Sequence, residues 1–451
     1  MPSTATLLQA VVVLLVCTLV GCPPAGHAQT LDAPAPSASL TLPCPPRHVP
    51  SSADPLIRSL VTEWAFLTQH GCKVVRWDDT WPHLQDFLVH VFTGPGVHPT
   101  AGVVVPGSGA AAGLALNTDW RETAPPYARF VANVEARGSV DGFWEAGGTL
   151  QTLFAGSVAN GKALRFTLSP THQELPHLPF YGLGNDSPRD GRTFYGLSDT
   201  AIVAGVDVPL PYGFTLSGGL DGLWFVPEPS ASFDAAHTEA TAPGRHARTT
   251  YLRPRASVAW QYPFTDVLDG FSTLAVVSQE FYQSLSGGAL AFSRLEARWN
   301  VAFHFDPEIG TVGFLSRLVL SNPYAGNKVP FYLQPTLGGG DLNNENFLRS
   351  YADYRFRASN LIVYELFYER KILDPVGIRL FGELGKVGIH PGDLGFAGLK
   401  SSVGVSVTVR LGGAPVFELS FAWGGGEGMQ IYSTGNTNNI GGVTAGLRGV
   451  F

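Results

Sequence analysis

The residues best placed to do chemistry together lie between positions 338 and 383. The stretch "LGGGDLNNENFLRSYADYRFRASN" opens on a glycine triplet, Gly338 to Gly340, and carries Arg349 between Leu348 and the pair Ser350–Tyr351. Beyond it the chain alternates. Arg355, Arg357, Ser359, Glu365 and Glu369 fall on one face of an extended backbone, and Tyr354, Phe356, Ile362, Tyr364, Leu366 and Tyr368 on the other. Arg379, Phe381 and Glu383 share a face of the next extended stretch. Guanidinium and carboxylate groups so distributed form charge-assisted hydrogen bonds, bidentate where the fork is presented squarely. Such contacts hold a chain in place.

Signals for catalysis are weaker. In "VPGSGAA", Pro106 occupies the place of the first glycine of a nucleophile elbow, and the stretch reads as a hairpin turn around Ser108. The 12 histidines are scattered without an H-E-x-x-H, and Asp78, Asp79 and His83 read as a cap and surface rather than a metal site. "GLGND" lacks the strand-to-helix setting of a phosphate loop. The expectation is no enzyme, no metal and no cofactor.

These residues need a scaffold, and composition narrows its class. Charged residues are only 14% of the chain, while Gly numbers 53 and aromatics reach 11%. Low charge with many glycines and aromatics suits a sheet protein with little aqueous surface. A net charge of -7 without a basic run argues against nucleic acid.

The first 28 residues read as a secretory signal peptide, with an apolar stretch from Leu7 to Val20 that is short for a membrane span of roughly 20 residues. Two processing sites compete. Gly26-His27-Ala28 suits signal peptidase, and Leu19-Val20-Gly21-Cys22 resembles a lipobox that would leave a lipidated Cys22. Both lead out of the cytoplasm. Cys44 and Cys72 then form an even pair in an oxidising compartment, read as a disulfide, with two free thiols as the alternative. Residues 29–53 are a Pro- and Ser-rich tether. Residues 54–97 are predicted to be a short helical periplasmic or plug segment, with Leu56, Leu60, Trp64 and Leu67 at helical spacing.

From His98 to Phe451 the pattern is one of successive strands separated by Gly-, Pro- and Asp-rich breaks. The candidates run from "TAGVVV" to the closing "VTAGLRGVF" and number about sixteen, an even count, as bacterial outer-membrane barrels require. In "LKSSVGVSVTVRL", Val403, Val405, Val407 and Val409 oppose Ser402, Ser406, Thr408 and Arg410; in "PVFELSFAW", Phe417, Leu419, Phe421 and Trp423 oppose Glu418 and Ser420. Apolar faces of this kind meet either a second packed sheet or lipid. Export, the uninterrupted strand series and the terminal aromatic Phe451, read as an assembly signal, favour lipid. The fold expected is all-β: a 16-stranded antiparallel transmembrane barrel with an inward-folded extracellular loop and a short amino-terminal helical segment.

The long break before "YRFRASN" carries a resemblance. Its order of LGG, then Leu348-Arg349-Ser350-Tyr351, then R-F-R resembles the outer-membrane barrel superfamily of BamA, TamA and FhaC, the bacterial surface antigen barrels. In that family a loop tip of the form Val/Leu-Arg-Gly-Tyr/Phe folds back into the lumen; here Ser350 replaces the glycine. "LFGELGKVG" resembles the family's F-x-D-x-G, with Phe381 and Gly385 matching and Glu383 in place of Asp. "FYGLGNDS" and "HPTAGVVVPGSGAAAGLAL" also resemble surface antigen barrels. The resemblance implies that Gly338, Gly339, Leu348, Arg349, Ser350 and Tyr351 form a loop plug, and that Phe381, Glu383, Gly385, Arg355 and Arg357 are its lumenal partners. Arg349 is expected to pair bidentately with Glu383.

The family's insertases carry periplasmic POTRA modules, and residues 29–97 read as tether and helices instead, so the expectation is a POTRA-less member. The resemblance implies a bacterial outer-membrane scaffold or gated pore handling protein or lipid. Its partners would be outer-membrane lipid, the barrel-assembly machinery during biogenesis and a periplasmic protein. A simple diffusion channel and a secreted or lipidated surface antigen are the alternatives.

Overall fold

The computed structural model describes residues 91–92, 96–121, 128–159, 162–262, 270–305, 310–373, 376–411 and 414–435. The signal peptide, the tether, Cys44, Cys72, nearly all of the predicted helices, "VTAGLRGVF" and Phe451 lie outside them.

Strands begin at β1 (Gly96–Gly102), β2 (Ala111–Arg121), β3 (Ala128–Ser139), β4 (Trp144–Ala159), β5 (Lys162–Phe180) and β6 (Thr193–Pro209). They continue through β7 (Phe214–Pro229), β8 (Thr249–Tyr262), β9 (Gly270–Ser284), β10 (Phe292–His304) and β11 (Thr311–Pro323). After two short pieces, β12 (Thr336–Leu337) and β13 (Phe356–Arg357), come β14 (Asn360–Leu373), β15 (Val376–Gly388), β16 (Lys400–Leu411), β17 (Ala414–Trp423) and β18 (Gln430–Gly435). All but β12 and β13 form one 16-stranded antiparallel sheet in chain order, curled into a nearly closed barrel in which β18 approaches β1. The sixteenth described strand is β18, which the sequence pattern does not single out because its apolar–polar alternation lasts only a few residues. "YRFRASNLIVYELFYER" is two elements rather than one strand, because Arg357 pairs back to Thr336 before the chain enters the sheet at Asn360.

The polarity of the barrel is inverted relative to a water-soluble core. Along β16, Ser402, Ser406 and Thr408 are buried while Val403 is 56% exposed. Leu366, Leu380 and Leu384 stand on the outer surface beside inward Glu365 and Glu383. The same holds around the wall: Leu116, Leu168, Ile202, Leu220 and Trp299 are exposed, whereas Arg137, Glu145, Asp221, Arg253, Glu280 and Arg317 are buried. Buried polar groups need partners, and the inner wall supplies them across neighbouring strands. Arg253 donates to Asp221 at 2.8 Å and to the Tyr282 hydroxyl at 3.1 Å, and Ser406 and Ser420 share a hydrogen bond at 2.8 Å.

Antiparallel order sends the connections after β1, β3, β5, β7, β9, β11, β15 and β17 to one end of the barrel. These include the long ones, such as that from Pro323 to Asn360, whereas Pro209–Phe214 and Leu373–Val376 at the other end are short. The connection after β7 carries a helix, α1 (Ala231–Ala236), capped by the Ser230 hydroxyl accepting from the Phe233 backbone N–H. Phe233 and Phe331 pack with Phe180 and Tyr195 at ring separations of 4.7 to 5.8 Å, in a buried aromatic cluster that Val104 and Val105 also join. Val103 to Val105 therefore belong to the β1–β2 turn rather than to a strand.

Phe331 is wholly buried at the centre of this cluster. Phe331→Ala is expected to cost about 3–5 kcal/mol, read as a lower midpoint in denaturant unfolding. Phe396→Ala, at a side chain 82% exposed, should leave the midpoint unchanged.

Candidate functional site

Residues 324–359 connect β11 to β14 and return on themselves through the β12–β13 ladder. Their apolar members, Leu337, Phe347, Leu348, Tyr351 and Phe356, pack on Leu361, Val363 and Val387. Those last three stand on β14 and β15, so these two strands turn an apolar patch toward the segment. The tip is held by its own backbone: Phe347 N–H donates to Gly339 O at 2.9 Å and Tyr354 N–H to Gly338 O at 3.0 Å. Gly339 has φ 54, and a Cβ there would lie 1.6 Å from the Tyr432 hydroxyl, so the triplet is required by both conformation and space. Gly385 likewise admits Leu337, whose Cδ1 would lie 3.0 Å from an added Cβ.

Arg349 is buried. Its backbone N–H donates to Glu383 Oε2 at 2.9 Å, its Nη1 lies 3.5 Å from Glu383 Oε1 and 3.8 Å from Glu365 Oε1, and its guanidinium sits 4.2 Å above the Phe381 ring. The contact is therefore not a bidentate fork. One Glu383 oxygen is taken by the Arg349 main chain, and the guanidinium rests on the ring between two carboxylates. Arg379 donates to Glu365 at 2.5 Å, so two guanidinium and two carboxylate groups share this part of the wall. Ser350, where the family motif has Gly, is fully buried and donates its N–H to the Ser402 hydroxyl at 3.0 Å. Tyr351 stacks edge-on to Phe356 at 5.0 Å.

Arg355 and Arg357 do not stand on β14. Arg355 binds Glu427 at 2.7 Å and reaches Ser187 with two nitrogens, Nη1 to the hydroxyl at 3.0 Å and Nη2 to the carbonyl at 2.8 Å. "FYGLGNDS" is thus a seat for this segment, and Gly184 pairs with Arg357 across an isolated bridge. Arg357, 1% exposed, donates to Phe331 O at 2.7 Å under the aromatic cluster.

A second ionic cluster was not anticipated. Arg317 donates to Glu296 at 2.9 Å and, with Arg298, to Glu345. Asp341 accepts the backbone N–H groups of Asn343 and Glu345 at 2.8 and 2.9 Å. Burial and the Glu345 carboxylate push Asp341 up to about 6 against the pull of Arg317. The available signal was the spacing of Glu296 and Arg298, two apart and so on one face of their strand. Beside this cluster lies a cavity of about 390 Å³ lined by Glu280, Arg294, Arg317, Gln334 and Asp341 among others.

Ser108 Oγ accepts from the Val104 and Val105 N–H groups at 3.1 and 3.3 Å, which makes it a turn-closing hydroxyl. Among the described residues no group of three or more His, Cys, Asp or Glu could hold a metal ion.

No protein-family model matches the chain, and no curated protein matches it. Solved structures do. The chain is similar to the crystal structure of BamA from Haemophilus ducreyi lacking POTRA domains 1–3, at a TM-score of 0.52 and 11% identity, over 76% of this chain and 69% of that one. It has the fold of the BamA barrel. CdiB from Acinetobacter baumannii aligns at a TM-score of 0.44 and 9% identity, and CdiB from Escherichia coli at 0.47 and 11%. The alignments span 75% of this chain and 58% and 62% of those two chains.

Removing the Arg349 side chain would leave Glu383 buried opposite Glu365. Arg349→Ala is expected to destabilise the protein by about 3–5 kcal/mol. Glu383→Gln in the same chain should recover part of that loss, which a double-mutant cycle in denaturant measures.

Proposed function

We propose that this protein is a bacterial outer-membrane β-barrel of the BamA, TamA and FhaC superfamily. It acts as an envelope scaffold or gated pore for protein or lipid, shut by the 338–357 segment as a plug held inside the lumen. The observation that carries the reading is the inverted wall, with aliphatic and aromatic side chains outside and ion pairs inside. A sheet of this polarity is stable where hydrocarbon covers its outer face. The exported leader, the long connections at one end and the LGG, Leu-Arg-Ser-Tyr and F-x-E-x-G stretches support the same assignment. Outer-membrane lipid is its surroundings, the barrel-assembly machinery its partner in biogenesis, and a periplasmic protein its partner in handling cargo.

The plug separates this reading from that of a plain diffusion channel. In planar bilayers the intact protein should conduct little, and deletion of residues 338–352 should open a large, stable conductance. Equal conductance from the two would favour the diffusion channel. Material that stays monodisperse in detergent-free buffer would overturn the membrane reading.

The outer face gives an independent check. Leu366→Arg, in the middle of β14 and 59% exposed, should cost about 2–4 kcal/mol in a bilayer. The loss would be read as reduced assembly in membrane fractions on heat-modifiability gels.

A further inference from the structure

The described sheet has two edges, β1 and β18, and among the described residues no ladder pairing joins them. Both edges turn at the same end of the barrel, β1 into the β1–β2 turn and β17 into β18, and one short run of the β11–β14 segment touches both.

On the β1 side, the Tyr354 hydroxyl donates to Pro106 O at 3.1 Å and Asn344 Nδ2 to Val104 O at 3.3 Å. On the β18 side, the Tyr432 hydroxyl donates to Asp353 Oδ1. Glu427, in the β17–β18 connection, accepts Arg355 Nε at 2.7 Å and the Ala352 N–H at 3.2 Å. Tyr351 packs so closely on that connection that a Cβ at Gly425 would lie 1.8 Å from its ring. Asp353 faces the β18 side, where its Oδ1 accepts from Tyr432, and its Oδ2 is near Gly107 of the β1–β2 turn, 3.5 Å from where a Cβ there would sit. Its Oδ1 also accepts the Gly340 N–H at 2.7 Å, which ties the carboxylate to the glycine triplet.

Neighbouring residues reach opposite edges because Tyr354 is left-handed, with φ 57. A bulky residue there is held by its surroundings at a conformational cost. Here the surroundings are the β1–β2 turn and the aromatic cluster. We propose that Asp353 and Tyr354 staple the two edges of the sheet, so that the internal segment, and not only strand pairing, closes the seam between β1 and β18. This closure is separate from the Arg349–Glu383 contact, which fixes the segment to β15, well away from either edge. It does not depend on what the barrel carries.

Hydrogen exchange followed by mass spectrometry on the full chain in detergent or lipid tests the staple. Tyr354→Phe should speed exchange in residues 96–102, and Tyr432→Phe and Asp353→Ala in residues 430–435, each by about fivefold to tenfold, as expected for losing a net hydrogen bond. Asp353→Asn keeps an acceptor and should restore most of the protection. Exchange across β6 and β7 should stay at its original rate in every variant. Unchanged edges would overturn the proposal, as would a uniform rise over the whole sheet, which marks general destabilisation. Because the readout is amide protection, the staple can fail while the plug stands, and the reverse.

Discussion

The backbone of a strand must be hydrogen-bonded on both sides, and in this chain that requirement meets strands with one apolar and one polar face. Curling sixteen strands into a nearly closed barrel satisfies nearly all of the ladder and, among the described residues, leaves one seam. It also forces a choice of which face turns inward. Placing Ser402, Ser406, Glu365 and Glu383 inside requires that every charge and hydroxyl find a partner in a confined space. The cross-strand ion pairs, the serine ladder and the polar cavity all follow from that choice.

The same choice explains why the interior carries apolar patches at all. Leu361, Val363 and Val387 pack with Leu337, Phe347, Leu348, Tyr351 and Phe356 of the β11–β14 connection, and the aromatic rings of β5 to β9 pack with Phe233, Phe331 and the valines of the β1–β2 turn. Among the described residues the larger buried apolar clusters are built jointly by strands and connections. Arg349 belongs to this logic: a cation set between Glu383 and Glu365, over the Phe381 ring, neutralises carboxylates that burial would otherwise penalise. Glycines at 338, 339 and 385 let main chain and wall approach where a side chain would collide.

The residues of the site were legible in unequal measure. Arg349, Phe381 and Glu383 stood out because motif and alternation both marked them, and the structure brings them together. Arg355 and Arg357 were legible as charged residues near the loop but were placed on the wrong element. Strand parity cannot reveal that the chain leaves the ladder between Arg357 and Asn360 to pair with Thr336. Glu427 and Tyr432 carried no signal at all, and Ser187 was marked only as the end of "FYGLGNDS", without a partner. Their roles come from connections 72, 79 and 168 residues from their partners in the chain, and no local pattern encodes such distances.

By itself the sequence determined the period-two alternation and the low charge, since each is a property of residues a few positions apart and so decides which faces are apolar. Only the tertiary structure decided which face turned inward, that one connection packed against β14 and β15, and which distant side chains met its tip. Those outcomes depend on curling the sheet, which brings the first and last described strands near one another and surrounds a single segment with residues far apart in the chain.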